Sequence, residues 1–416
     1  MALTYQQAKF VKGTIPALRE HGEQITTIFY QKMLADHPDL NNYFNSVNQK
    51  NGRQPRALTA VILAFASNIS HVYELIPKME RMCNKHCSLG IQPQHYEIVG
   101  KYLIQAFGEI LGQAMTPEVE AAWTKAYWLL AKMLIGREQQ MYKDFGNWSS
   151  WAKFRIDRKV QETPDIVSFY LVPLDGKQLP SFMPGQYISV QVYVPSVGYL
   201  QSRQYSLSDA PRPDYYRITI KRDPGMQFHN SVSTSYMNPG VVSNYLLDEK
   251  RAGDTLEITH PAGEFFLDNN PSSAPIVLIS AGVGCTPMVS ILNTVVESRI
   301  KRPVSWVHGA KHSVCFGKHV QSVAKEYPNL QTKIFKTTLT DSDLAGVTYD
   351  YNCRMDLRML TPDDLFLGNG STEYYISGPE QFLIDVAEYL HSRGVSRSQT
   401  KFELFSTGDL EFKKQH

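Results

Sequence analysis

Over the first 149 positions apolar residues recur at three- and four-residue steps, the spacing that lines one face of a helix. The clearest run spans Thr116 to Tyr142, where Val119, Ala122, Trp123, Ala126, Tyr127, Leu130 and Leu134 follow that period. Thr116 stands just ahead of Pro117, a favoured first helical residue, and Glu118 and Glu120 fall in the first turn, where the helix dipole favours acids. Segments 14–34, 53–70 and 94–111 show similar periodicity. Prolines at 38, 55, 77, 93 and 117 mark segment starts, where a missing N–H costs least. The pattern predicts an all-α domain over residues 1–149.

Around GNWSSWAKFR (146–155) the texture changes. YISVQVYV (187–194), YRITIKR (216–222) and DTLEITH (254–260) are short β-branched and aromatic runs divided by Pro and Gly. They predict an antiparallel β-barrel or sandwich over 150–270. Beyond it, PIVLIS (275–280), PVSWVHG (303–309) and EYYISG (373–378) alternate with helical segments. That is the rhythm of an α/β doubly wound sheet, expected over 271–416. The segment 224–244 (PGMQFHNSVSTSYMNPGVVSN) is the longest polar, turn-rich stretch and is expected to include a surface loop.

Composition narrows the class. A chain of 416 residues exceeds one ordinary core, and 43% apolar with 20% charged residues describes folded, multidomain protein. Forty-two basic and forty acidic residues nearly cancel, which gives no reason to expect nucleic acid as a partner. No run reaches the roughly 18 apolar residues of a membrane span, and the N-terminus lacks the unbroken apolar core of a secretory signal. Cys83, Cys87, Cys285, Cys315 and Cys353 are odd in number and irregularly spaced, so no disulfide framework is expected. A reducing compartment follows: the cytoplasm, with an organelle matrix also compatible.

An iron porphyrin needs an axial nitrogen on one side and a small pocket with hydrogen-bond donors on the other. His86, in MERMCNKHCSLGI, is the candidate ligand; His71 and His95 compete on the same footing. Tyr30, Phe44, Gln54 and Leu58 are candidates for the opposite wall, with Gln54 and Leu58 on one helix face. Cys83 and Cys87 flank His86 at helical spacing; such cysteines are more often packing residues than a metal site. Here the residues carry a family. FYQKML with HPDLNNYFN, then NQKNGRQPRAL, NKHCSLGI and HYEIVGKYL, closely resemble the globin domain of flavohaemoglobins. The resemblance implies that His86 is the proximal ligand of a haem b iron, coupled to Tyr96 and Glu138, with Lys85 tuning the potential. Tyr30 and Gln54 would hydrogen-bond bound dioxygen, Leu58 narrow its access and Phe44 wedge the haem.

MPGQYISV (183–190), RQYSLSD (203–209) and HPAGEFFL (260–267) resemble the FAD barrel of the ferredoxin-reductase superfamily. Arg203 would pair with flavin phosphate, Tyr205 stack on the isoalloxazine and Ser206 approach N5, with Gln204 and Tyr187 as further contacts. ISAGVGCTPM (279–288) follows an apolar strand and opens a helix. Gly282 and Gly284 let backbone N–H groups approach a pyrophosphate, and Val283, Cys285, Thr286 and Pro287 complete the turn. YYISGPEQFL (374–383) and FELF (402–405) resemble the nicotinamide and C-terminal segments. There Ser377 would lie beside nicotinamide, Phe405 cover the flavin, and Glu403, next to Leu404, influence its potential. Ser377 stands where the superfamily usually has cysteine, and Ser406, Thr407 and Gly408 replace the common Gly-Pro. Lys311 and His312, with no acid near, follow PVSWVHG and suit the 2′-phosphate of NADPH better than NADH.

The resemblance spans about residues 1–410 and implies a monomeric nitric oxide dioxygenase. Its partners would be small molecules: O2, NO and NAD(P)H. Electrons would pass from NAD(P)H through FAD to haem. Two alternatives stay open at this point: a flavin reductase serving other acceptors, and a globin gas sensor.

Overall fold

The computed structural model describes residues 3–44, 52–229, 234–237, 239–268, 272–298 and 301–405. Ser406, Thr407 and Gly408 lie outside the described residues. By packing the chain divides into two units, Met1–Trp151 with Ser189–Arg203, and Ala152–Ile188 with Gln204–His416.

The N-terminal part of the first unit is helical: α1 (Tyr5–Gly13), α2 (Ile15–Asp36), α3 (Arg53–Ser67), α4 (Ile76–Cys87), α5 (Pro93–Leu111) and α6 (Pro117–Asp144). Pro38 opens a short 3-10 turn over Pro38–Asn42. Thr4 and Gln7 close a capping box on α1, and the Thr116 hydroxyl accepts the Val119 N–H at the start of α6. The apolar stripes meet in one core, where Ile25, Phe29 and Met33 of α2 join Phe107 of α5 and Trp123 of α6. Phe107 and Trp123 pack edge to face with ring centres 4.7 Å apart. The Trp123 indole donates to the Thr14 hydroxyl at 3.2 Å, which ties α6 to the corner between α1 and α2.

The antiparallel sheet has six strands: β1 (Ala152–Thr163), β2 (Ile166–Pro173), β3 (Tyr187–Val194), β4 (Tyr199–Ser206), β5 (Tyr216–Lys221) and β8 (Thr255–Ile258). Their order is β4-β3-β8-β1-β2-β5. A bridge between Leu207 and Ile218 joins the two ends of this order, which closes the sheet as a barrel.

The 224–244 segment is more regular than its composition suggests. It holds a hairpin of β6 (Met226–His229) and β7 (Thr234–Met237), then the start of α7 (Val241–Glu249). Backbone pairing, which is blind to side-chain polarity, satisfies its N–H and C=O groups. Residues 230–233 and 238 lie outside the described residues.

The remaining strands are β9 (Ile276–Ala281), β10 (Val304–Ala310), β11 (Leu330–Lys336), β12 (Glu373–Gly378) and β13 (Thr400–Leu404). They form a parallel sheet in the order β11-β10-β9-β12-β13. The helices α8 (Cys285–Glu297), α9 (Gly317–Glu326) and α10 (Glu380–Ser392) connect them. Leu278, Trp306 and Tyr375 pack with α8 residues on one face; Val277, Val307 and Ile376 pack with α10 residues on the other. Burial on both faces explains why the central strands β9, β10 and β12 are mostly apolar. Among the described residues no helix is long and apolar enough to cross a membrane.

Phe107 is fully buried in the helical core. Phe107→Ala should lower the unfolding free energy of the helical unit by about 3–5 kcal/mol, read by urea denaturation. A loss below about 1 kcal/mol would show that this ring does not anchor the core.

Candidate functional site

The last turn of α4 delivers His86 to two polar groups from neighbouring helices. Its Nδ1 lies 2.9 Å from the Tyr96 hydroxyl of α5 and 2.8 Å from Glu138 Oε1 of α6. Tyr96 itself donates to the same Glu138 oxygen at 2.6 Å. Proton accounting fixes the directions. The phenol proton goes to the carboxylate, so the Nδ1–H of a neutral ring is donated toward Glu138 and the phenol oxygen. Glu138 is 2% exposed, and burial with the nearby carboxylate holds the Tyr96 phenol well above the usual tyrosine pKa. His86 Nε2 has no hydrogen-bond partner among the described residues. The triangle therefore orients one ring nitrogen and leaves the other available.

Two residues that the sequence reading did not single out brace this triangle. The Tyr127 hydroxyl donates to the Tyr96 carbonyl at 2.5 Å, and its ring lies flush against Gly100. A Cβ on Gly100 would meet the Tyr127 ring at 2.5 Å, so only glycine permits this approach of α5 to α6. The Tyr142 hydroxyl donates to the Ile91 carbonyl at 3.0 Å and holds the link between α4 and α5. Cys83 and Cys87 turn instead toward the α6 backbone, with sulfurs 3.8 Å from the Leu134 and Glu138 carbonyls. Burial pushes the Cys87 thiol up to about 12, as expected of inert packing residues. Of the competing histidines, His95 accepts the Gln92 N–H at 3.0 Å as a helix cap, and His71 is exposed.

A second cluster gathers Tyr30, Phe44 and Gln54. Tyr30 is buried on α2, its ring 5.4 Å from that of Phe44, and Gln54 of α3 hydrogen-bonds its hydroxyl. Burial raises the Tyr30 pKa, so the phenol keeps its proton as a donor. Leu58, on the same face of α3 as Gln54, packs against this core, whereas Lys85 is exposed.

In the barrel, β4 carries Arg203, Gln204, Tyr205 and the buried Ser206 along one strand. Tyr187 opens β3 and exchanges backbone hydrogen bonds of 2.9 and 2.8 Å with Ala262. Gly263 has φ +116°, and a Cβ there would strike the Tyr187 ring at 2.9 Å. The PAG turn is thus locked against the tyrosine strand.

The order in which strands are added reverses between β9 and β12, the switch point at which ligands enter doubly wound sheets. The turn Gly282–Gly284 sits there and leads into α8 through Cys285, Thr286 and Pro287. Gly282 has φ +56° and open space where a Cβ would project. At Gly284 an added Cβ would fall 2.4 Å from the Ser377 carbonyl oxygen, so the turn rests directly on β12. The Thr286 hydroxyl bonds the Val283 carbonyl at 3.0 Å. Ser377 aligns with Glu403, and Gly378 with Leu404, on adjacent strands. Phe405, just beyond, is 48% exposed. On the other side of Ser377 lies Ser280, whose hydroxyl is 2.9 Å from His308 Nδ1. Neither Ser280 nor His308 was singled out from the sequence. Their signal was a polar residue closing each apolar strand.

The family model described as Globin matches residues 27–134, and that described as Oxidoreductase NAD-binding domain matches residues 278–388. Fold and site together define a globin followed by ferredoxin-reductase-like FAD- and NAD-binding domains, an oxidoreductase. A flavohemoprotein of Bordetella parapertussis is 40% identical over 408 residues, covering 96% of this chain and 98% of that protein. The crystal structure of a flavohemoglobin from Malassezia yamatoensis, with bound FAD and heme, superposes with a TM-score of 0.80 at 29% identity. It covers 98% of this chain and 100% of that one. The flavohem-like FAD/NAD-binding domain of nitric oxide dioxygenase from Vibrio cholerae gives a TM-score of 0.52 at 29% identity, over 61% of this chain and 98% of its own. The chain belongs to the flavohaemoprotein family.

His308 gives the reductase unit an acid-sensitive point. It is fully buried, and burial lowers its pKa from an ordinary 6.5 to about 4. Below its ordinary value the unfolded chain binds the proton first, so this contribution is complete above 6.5 and is lost as pH falls toward 4. The loss should reach about 3 kcal/mol. Urea unfolding at about pH 7 and about pH 4.5 should show a smaller acid loss for His308→Asn than for the parent; equal losses would place the acid sensitivity elsewhere.

Proposed function

We propose that this chain is a nitric oxide dioxygenase, converting NO and O2 to nitrate at the expense of NAD(P)H, with haem b and FAD as resident cofactors. The single observation that carries the reading is the His86–Tyr96–Glu138 triangle, set in a chain whose relatives across its whole length are flavohemoproteins. The Vibrio cholerae relative is a domain of a nitric oxide dioxygenase, and the Malassezia yamatoensis flavohemoglobin holds FAD and heme. When bound, FAD would supply the conversion from a two-electron donor to one-electron transfer, and haem the dioxygen chemistry.

The residues fit these groups. His86 is the proposed iron ligand because its protein-facing nitrogen is committed and Nε2 is not. Glu138, accepting from the ring, raises the basicity of that nitrogen, which favours dioxygen activation over storage. Tyr30, protonated and held by Gln54, offers the donor on the other side, with Phe44 and Leu58 as apolar walls; Lys85, exposed and next to His86 in sequence, would tune the haem potential. For FAD, Arg203, Gln204, Tyr205 and Ser206 present one strand of contacts beside Tyr187, and Glu403, Leu404 and Phe405 lie at the end of β13. For the dinucleotide, Gly282 opens a backbone cradle, Gly284 brings the turn onto Ser377, and the start of α8 adds its positive end. Lys311 and His312 are exposed just past β10, which favours NADPH as donor. The working division is a globin over 1–149, a barrel over 150–270 and a nucleotide lobe over 271–416, acting as a cytoplasmic monomer.

A flavin reductase for other acceptors is the second reading, favoured by Ser377 in place of the usual cysteine. Purified protein reconstituted with hemin and FAD should show a Soret band that shifts to the ferrous form on anaerobic NADPH addition. Under air, NO should strongly stimulate NADPH oxidation with nitrate as product; oxidation indifferent to NO would favour the second reading. His86→Ala should abolish stable haem retention and leave flavin reduction intact. Tyr30→Phe should speed dissociation of dioxygen by about tenfold. Unchanged off-rates by flash photolysis would remove Tyr30 from its donor role.

A further inference from the structure

An antiparallel strand commonly keeps one face in water. Strand β3 does not. Its apolar positions Ile188, Val190 and Val192 are buried, as a barrel lining should be. The alternate positions Ser189 and Gln191 are buried as well, at 0% and 7% exposed. A polar face that is buried needs a neighbour able to hydrogen-bond. Packing identifies that neighbour, because Ser189–Arg203 falls in one unit with Met1–Trp151. Two contacts locate the join. The Leu200 N–H donates to Asn42 Oδ1 at 2.9 Å. The Gln201 amide, 1% exposed, donates to the Leu200 carbonyl at 2.9 Å and lies 3.5 Å from the Asn41 carbonyl. Strand β4 stands at the end of the sheet order, where backbone groups lack a strand partner, and Asn42 supplies one.

Both ends of this hydrogen bond lie beside residues already assigned to cofactors. Asn42 closes the Pro38–Asn42 turn, two residues before Phe44, whose ring packs 5.4 Å from that of Tyr30. Leu200 lies three residues before Arg203 on the strand that continues through Gln204, Tyr205 and Ser206. At the rise of a β-strand, Leu200 and Arg203 are about 10 Å apart. The turn is firmly held on its helical side. Leu40 is buried in the core, the Asn41 amide donates to the Pro38 carbonyl at 2.9 Å, and the Tyr43 ring meets His95 edge to face at 4.7 Å. A stiff turn transmits its position through the one side chain that grips β4.

We propose that Asn42 is a positioning residue for electron transfer from flavin to haem: its amide oxygen pins the flavin-binding strand to the turn that bears the haem wedge. The assignment rests on the haem- and FAD-dependent reading above. Each transfer takes one electron from reduced FAD and gives it to ferric iron, which becomes ferrous. Asn42 touches neither group and acts through the backbone of β4. Electron tunnelling falls off exponentially with separation, so slack between turn and strand slows this step and leaves hydride transfer to the flavin alone. The slowing expected from one lost hydrogen bond is about two- to tenfold.

The test uses full-length protein loaded with haem and FAD. Anaerobic stopped-flow mixing with NADPH reads flavin reduction. Flash photoreduction of the flavin by deazariboflavin reads the arrival of its electron at ferric haem, apart from the nucleotide step. Amide hydrogen exchange over residues 199–202 reads the join itself. Asn42→Ala should slow electron arrival by that factor and speed exchange at Leu200, with flavin reduction by NADPH unchanged. Asn42→Asp, which keeps an acceptor oxygen at the same reach, should restore both. Should Asn42→Ala fail to fold, Leu200→Pro deletes the same bond from the donor side, since proline has no N–H and is tolerated on an end strand. Electron arrival at the parent rate in Asn42→Ala or Leu200→Pro overturns the proposal. So does an Asn42→Asp variant as slow as Asn42→Ala, or an equal slowing of flavin reduction. A parent haem that stays ferric while its flavin is reduced would instead sink the underlying functional reading, a separate outcome.

Discussion

A carboxylate in a protein interior is tolerated only where hydrogen bonds replace the water it has lost, and Glu138 is such a group. Its Oε1 accepts from Tyr96 and from His86, and both donors must arrive on separate helices at the same point. The requirement propagates outward. Tyr96 is placed by Tyr127, which needs the missing side chain of Gly100 to come close enough. Helix α4 is placed by its cysteines lying against α6 and by the tether from Tyr142 to Ile91. A charge that would be destabilising alone thus becomes the point around which three helices are registered, and its product is an imidazole oriented by one nitrogen.

The reductase unit solves a different problem, bringing backbone close to a neighbouring strand's ring or backbone. Gly263 against Tyr187 and Gly284 against Ser377 are both positions where a Cβ would collide, at 2.9 and 2.4 Å. Each collapses a strand end onto a neighbouring strand. In the parallel sheet that closeness sets a glycine turn over the switch point, with buried polar side chains directly below. The apolar stretches of β9, β10 and β12, buried on both faces, contribute to the stability of this lobe.

Legibility differed by element for physical reasons. The helices of residues 1–149 were readable because a 3.6-residue period survives any tertiary arrangement, and Thr116 and Pro117 marked a start that the structure places at the same residues. The strands at 187–194, 216–221 and 373–378 were readable from their apolar and β-branched content. The hairpin at Met226–Met237 was not, because its pairing is made by backbone atoms that Ser, Asn and His do not advertise. Among the histidines, residue type alone left His71, His86 and His95 open and only the family resemblance singled out His86; their partners differ, since one is exposed, one caps a helix and one meets a carboxylate 52 positions away.

What the chain by itself determined is therefore what depends on neighbours a few residues apart: periodicity, caps, turn glycines, and the run of motifs that marks the family. Tertiary structure alone decided which side chains from distant segments share one proton or one void. Glu138 with His86, Tyr127 with Gly100, and His308 with Ser280 are such pairs. Hydrogen bonds act over about 3 Å, and no local pattern encodes which remote atom will come within that distance.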